Sequence, residues 1–226
     1  MHRVRPATRN RRPLREIGAA LAVLVALPIG LVGCRPEIPQ PQPYPSIEWE
    51  SGSAPSGGLE DDPWVQATRA SLEAQAVAQN QNDFNLPELI RTTGLAVRSD
   101  GVAQARSQLK NGHRTVTVAG PMPFAPIEVI ADAADPAHAR VQACVGASLA
   151  LEASDQSSGA FGIEYRLERI PEGLIRVVGS TGLSDLECDG VEFALARFDP
   201  QPVPSTLTDA RDVPFAERDD LDRQAD

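Results

Sequence analysis

The sequence has three cysteines and three histidines in 226 residues, and no CxxC pair among them. Past residue 33 only His113 and His138 remain, far apart and in no ligand motif, which argues against the common zinc sites. GxSxG is missing, so the strained nucleophile turn of the α/β-hydrolases is excluded. Phosphate-cradling glycine loops and dinucleotide glycine patterns are missing as well. The apolar stretch at residues 17–32 is 16 residues long and contains Pro28, which is short against the ~20 residues a bilayer-spanning helix needs. Lysine is nearly absent: after residue 33 there is one, Lys110, against fourteen arginines.

What is present begins with a basic N-terminus. Arg3, Arg5, Arg9, Arg11, Arg12 and Arg15 precede the apolar stretch with no acid among them, a charge bias that holds this end on the cytoplasmic side. Leu31-Val32-Gly33-Cys34 follows. This tetrapeptide resembles the lipobox of bacterial lipoproteins, and the resemblance implies cleavage before Cys34 and a diacylglycerol thioether on its sulfur. Residues 1–33 are then a signal peptide and the mature chain sits on the outer face of the cell membrane, held by its lipid. Two acyl chains suffice for this, because each buried methylene contributes about 0.8 kcal/mol. The alternative is an uncleaved signal anchor with an incidental cysteine. With Cys34 taken by lipid, Cys144 and Cys188 are left as one pair for a disulfide in an oxidising compartment; two buried free thiols are the other reading.

Removal of residues 1–33 changes the charge. The remaining 193 residues carry 15 basic and 30 acidic side chains, a net charge of −15. Such a surface repels nucleic acid, and nucleic acid is excluded as a partner.

Residues 34–63 hold Pro36, Pro39, Pro41, Pro43, Pro45, Pro55 and Pro63 with Gly/Ser runs between, and the composition predicts an extended spacer without a core. Residues 199–226, with Pro200, Pro202, Pro204 and Pro214 and the terminal acids Asp219, Asp220, Asp222 and Asp226, predict a loose tail. Between them, residues 64–198 are one domain's worth of chain. Asp62-Pro63 predicts a helix start and an Ala/Gln-rich helix to about Gln81; Asn85 and Glu88 predict a capping box for residues 86–93; Ser99-Asp100 predicts a third helix ending at Gly112. Period-two alternation then predicts strands around Val116 and Val118, over residues 127–131 and 139–145, and most clearly through Phe161, Ile163, Tyr165 and Leu167. A turn at Pro171-Glu172-Gly173 returns the chain antiparallel over residues 174–178. The fold class is therefore α+β, with N-terminal helices packed on a curved antiparallel sheet.

The stretch Phe84-Asn85-Leu86-Pro87-Glu88-Leu89, the path from Ile127-Glu128-Val129 to Ala139-Arg140-Val141-Gln142-Ala143-Cys144, and the path from Tyr165-Arg166-Leu167-Glu168-Arg169 to Leu174-Ile175-Arg176-Val177-Val178 resemble the nuclear transport factor 2-like (cystatin-like) domains of actinobacterial lipoproteins. The likeness spans about residues 64–190, and Leu174-Ile175 stands where such domains commonly carry a tryptophan. It implies a cone whose mouth can hold a small molecule; related enzymes such as ketosteroid isomerase and scytalone dehydratase run acid–base chemistry there with Asp, His and Tyr. The corresponding residue types here are Tyr165, Asp83, His113 and His138. None stands in a recognisable pair: Tyr165 shares a strand face with apolar residues, His138 adjoins the Asp135-Pro136 turn, and His113 follows the helix end at Gly112. No catalytic residue, metal or cofactor is assigned. The reading is an anchored envelope module that binds or assembles with an envelope protein or a small apolar ligand; the alternative is an isomerase, dehydratase or hydrolase using the cone.

Overall fold

Asp62 opens the first helix: its carboxylate accepts the Trp64 N–H at 2.8 Å, and Pro63, which has no N–H to satisfy, takes the first helical position. This helix, α1 (Pro63–Gln81), ends at Asn82 in the left-handed region, φ 51°. The structure is a computed structural model that describes residues 43–147, 159–171 and 173–217. Residues 1–33, expected as a signal peptide, and Cys34, Pro36, Pro39, Pro41, Glu172, Asp219, Asp220, Asp222 and Asp226 lie outside the described residues.

Two helices follow, α2 (Pro87–Thr92) and α3 (Leu95–Lys110). The capping box does not form. The side-chain oxygen of Asn85 accepts the Ala216 N–H at 2.6 Å instead, so α2 starts without a side-chain cap. α3 starts four residues before Ser99 because the sheet fixes the turn ahead of it. Thr93 bridges Val177 in parallel, and the Gly94 N–H donates to the Val177 carbonyl at 2.9 Å. At its far end Gly112, φ 73°, lets the His113 N–H reach back to the Gln108 carbonyl at 3.0 Å.

The main sheet is an antiparallel meander of β2 (Phe124–Ala131), β3 (His138–Val145), β4 (Phe161–Arg169) and β5 (Ile175–Leu183), in that spatial order. Register pairs such as Val129 with Val141 and Val141 with Tyr165 put apolar side chains on the helix face, while Arg140 and Arg166 pair on the other. Pro126 and a bulge lie on β2, an edge strand, the place in a sheet where proline is tolerated. Residues 116–118 form no strand. The Asn80 amide takes the place of a neighbouring chain, accepting the Val118 N–H at 2.8 Å and donating to its carbonyl at 2.9 Å.

The proline-rich segment is corrected in its second half. Ser46–Trp49 forms β1, which pairs antiparallel with β6 (Ala196–Asp199); Ile47 faces Phe198 in the register. Pro43 and Pro45 both precede this strand and do not interrupt it. The tail is corrected too. Leu207, Ala210, Val213 and Phe215 pack on α1, α2 and α3, with Val213 only 1% exposed. These apolar residues, set around a 3-10 turn at Ala210–Asp212, give the segment enough buried surface to stay docked.

α1 supplies all three buried clusters. Leu72 joins Trp64, Val65, Phe124, Val141, Tyr165 and Leu167 against the sheet; Ala74 and Ala78 meet Phe84, Leu89 and Val102; Val77 meets Val118 and Phe198. A helix surrounded in this way lacks a single apolar stripe, and its alanines let neighbours approach on every side. Each large apolar side chain buried there contributes roughly 1.5–3 kcal/mol. Cys144 and Cys188 form a disulfide with a Cα–Cα distance of 5.6 Å. It holds residues 184–190 over the outer face of β3 and β4, where Gly162 leaves room: a Cβ there would sit 2.6 Å from that of Leu186.

Candidate functional site

The four titratable candidates occupy four separate places. Tyr165 is buried on the helix face of β4, edge-on to Phe124 with ring centroids 6.1 Å apart, and burial pushes its phenol pKa up. Asp83 caps a turn, accepting the Asn85 N–H at 2.9 Å. His113 is exposed just past α3. His138 is exposed at the start of β3, its Nδ1 2.8 Å from Asp135 Oδ2. The Ala137 N–H and then His138 hold the Asp135 carboxyl below its ordinary range, so this pair sets the turn into β3. The structure brings none of the four together.

It brings together residues that sequence reasoning missed. Arg69 on α1 donates to both oxygens of Glu60, the Nε–Oε2 distance being 2.7 Å, and to the Phe124 carbonyl at 3.1 Å. Its guanidinium lies 4.9 Å from the Phe124 ring centroid and 5.7 Å from that of Trp49. Fork-shaped pairing and stacking use the two properties that lysine lacks. One turn further along α1, Glu73 accepts a hydrogen bond from the Tyr44 hydroxyl. Burial raises the Glu73 pKa; burial first, then Glu73 itself, raises that of Tyr44. Between these groups lies a narrow cleft of about 30 Å³ whose apolar lining includes Ile47, Trp49, Leu72, Met122 and Phe124. A slot of this size beside one carboxyl of raised pKa has room for a water molecule or the tip of a larger group, not for a whole small molecule. The signals were present in the chain: Ile47 and Trp49 alternate inside the proline-rich segment, and Arg69 and Glu73 stand four apart on one helix.

A second, more open groove of about 520 Å³ crosses the outer face of the sheet. Ile130, Arg140, Arg166 and Val178, one from each strand, line it, with Asp132 and His138 at one side. Arg166 lies over Gly179, where a Cβ would stand 2.4 Å from its guanidinium nitrogen. Glu164 accepts from Gln142 at 3.0 Å and from Arg140 at 3.5 Å, so acids offset the arginines on this face. Among the described residues no group of three His, Cys, Asp or Glu could hold a metal ion, and no helix is long and apolar enough to cross a membrane.

No protein-family model matches this sequence, and no curated protein and no solved structure shows significant similarity to it.

Proposed function

We propose that this chain is a lipid-anchored, extracytoplasmic module of a bacterial cell envelope that binds or assembles with other molecules without transforming them. The observation that carries the non-catalytic part is the filling of the helix-facing side of the sheet. Trp64, Leu72, Phe124, Val141, Tyr165 and Leu167 occupy the space where a cystatin-like cone would hold a substrate, and among the described residues no carboxylate or histidine is buried there. The anchored part rests on Leu31-Val32-Gly33-Cys34 after a basic and apolar leader. The Cys144–Cys188 disulfide accords with an oxidising compartment. The partners are the membrane, through the acyl chains on Cys34, and an envelope protein or small apolar ligand at the exposed clefts; a net −15 mature surface disfavours nucleic acid.

Intact-mass measurement on membrane-purified protein tests the anchor: the mature chain starts at Cys34 and carries diacylglyceryl mass, and a Cys34→Ser chain stays unprocessed. Identical processing and retention of that variant would overturn the assignment. Native mass spectrometry of the unlipidated chain tests binding, with a retained apolar ligand or a defined envelope partner as the expected result.

A second reading, acid–base chemistry on a small molecule as in an isomerase, dehydratase or hydrolase, is favoured by one observation only. The Glu73 carboxyl has a raised pKa and borders an apolar cleft. Turnover lost in Glu73→Gln and kept in Tyr165→Phe would support it.

A further inference from the structure

The segment that follows β6 is bound the way a peptide is bound. The Val213 carbonyl accepts from Arg106 at 3.0 Å, the Pro214 carbonyl from the Phe84 N–H at 3.3 Å, and the Ala216 carbonyl from Arg98 at 3.5 Å. The Ala216 N–H donates to Asn85 at 2.6 Å. All four bonds reach the main chain of residues 213–216 and so hold that stretch in one register, directly after a single 3-10 turn at Ala210–Asp212. Leu207, Ala210 and Val213 supply the apolar anchors, and Phe215 lies 5.8 Å from the Arg98 guanidinium. The receptor side is preformed by α1, α2 and α3 with Phe84, Leu89 and Val102.

The connection from β6 is of a different kind. Residues 200–204 hold Pro200, Pro202 and Pro204, and Val203 is 61% exposed. Such a linker holds the segment near its groove without adding to its recognition. Nothing in the recognition distinguishes a segment arriving from its own chain from one arriving from a neighbour, and exchange of an identical element between copies is a low-cost route to a closed two-fold dimer.

We propose that the groove between α1, α2 and α3 is an assembly site that takes residues 205–217 of a second copy of this chain in place of its own. Docking in cis is favoured in dilute solution, because a short linker gives the chain's own segment an effective concentration of about millimolar. Exchange therefore appears when copies are crowded, as they are when tethered to one surface. The inference goes beyond the anchored-module reading and holds whether or not Cys34 is acylated, so its test uses an unlipidated chain.

Disulfide trapping across the Asn85–Ala216 contact tests it, in full-length chains that carry Cys34→Ser. A chain with both Asn85→Cys and Ala216→Cys closes the bond within itself, which checks that the contact exists in solution; absence of that bond would overturn the proposal. Two chains carrying one substitution each, mixed at about millimolar concentration under mild oxidation, give an Asn85→Cys/Ala216→Cys cross-linked dimer. Its yield is at least tenfold above that of a control in which the Ala216→Cys chain also carries Val213→Asp, and a synthetic peptide of residues 205–217 competes it away. Equal yields with and without Val213→Asp, or indifference to the peptide, would show random collision and end the proposal.

Discussion

Asn80 and Val118 face each other through two hydrogen bonds of the kind a neighbouring strand would make. The Val118 N–H donates to Asn80 Oδ1 at 2.8 Å, and Asn80 Nδ2 donates to the Val118 carbonyl at 2.9 Å, with both residues buried. Replacing Asn80 by alanine leaves a buried backbone donor and acceptor without partners, at about 1–3 kcal/mol each. Asn80→Ala therefore lowers the urea midpoint by the equivalent of about 2–6 kcal/mol with an unchanged slope. Asn80→Asp keeps the acceptor, loses the donor and buries a charge, and it destabilises as well.

That pair also shows why local reading fails where it does. Val116 and Val118 alternate as a strand does, but a side chain 38 residues earlier satisfies the backbone that a strand partner would have taken. Features coded within a few residues came through intact: the Asp62-Pro63 helix start, the α1 end at Gln81, and the β4–β5 hairpin. Features coded by distant partners did not. Asn85 has the spacing of a capping residue, and its oxygen is claimed by Ala216, 131 positions away. Ile47 and Trp49 look like fragments of a spacer until β6 arrives to pair with them. The pairing of Cys144 with Cys188 was legible by counting, whereas the Tyr44–Glu73 contact was not, because neither residue's own neighbourhood marks it.

The disulfide closes a loop across 44 positions. In the chain-entropy account a loop of that size contributes roughly 4 kcal/mol by restricting the unfolded chain. Reduction, or Cys144→Ala with Cys188→Ala, lowers stability by about that amount. The same treatment of the double variant with reductant produces no further change. Thermal melts of both chains with and without reductant check it, and a wild-type melting temperature indifferent to reductant would contradict the covalent link.

Glu73 predicts a pH dependence with a definite sign. Its carboxyl pKa is raised in the folded chain above the ordinary 4.5, chiefly by burial, against which the Tyr44 hydrogen bond acts. The folded state thus holds this proton more tightly than the unfolded state does, and this stabilising contribution is full below pH 4.5 and lost as pH rises through the folded value. Glu73→Gln removes the charge while keeping an acceptor for the Tyr44 hydroxyl. The variant is more stable than the parent at pH 7, and the difference shrinks toward acid. Urea midpoints of the two chains across that window give the comparison; a constant difference at all pH values would contradict the raised pKa.

Arg69 combines a bidentate ion pair with Glu60, a bond to the Phe124 carbonyl, and stacking between the Trp49 and Phe124 rings. Lysine reproduces the charge and none of the planar geometry. Arg69→Lys accordingly loses most of what Arg69→Ala loses, about 1.5–3 kcal/mol for hydrogen bonds to charged groups at this partly buried position. Trp49 fluorescence reports the local consequence, because loosening of β1 over the cleft moves that ring toward water.

Tyr165 separates a packing role from a chemical one. Its ring fills the space between α1 and the sheet, edge-on to Phe124, and burial raises its phenol pKa, so the hydroxyl stays protonated where the protein is folded. Removing the ring opens a cavity among Trp64, Phe124 and Leu167, and Tyr165→Ala costs about 3–5 kcal/mol on the scale of large aromatic deletions. Tyr165→Phe keeps the ring and its edge contact, so it costs about 1 kcal/mol or less, the scale of one hydroxyl's net hydrogen bonding. If Tyr165 serves packing, the phenylalanine chain retains the same ligand or partner as wild type in native mass spectrometry while the alanine chain loses both stability and binding. Loss of binding or turnover in Tyr165→Phe at undiminished stability would instead assign the hydroxyl a direct part in function, and would turn attention from the clefts outside the sheet to the buried face beneath α1.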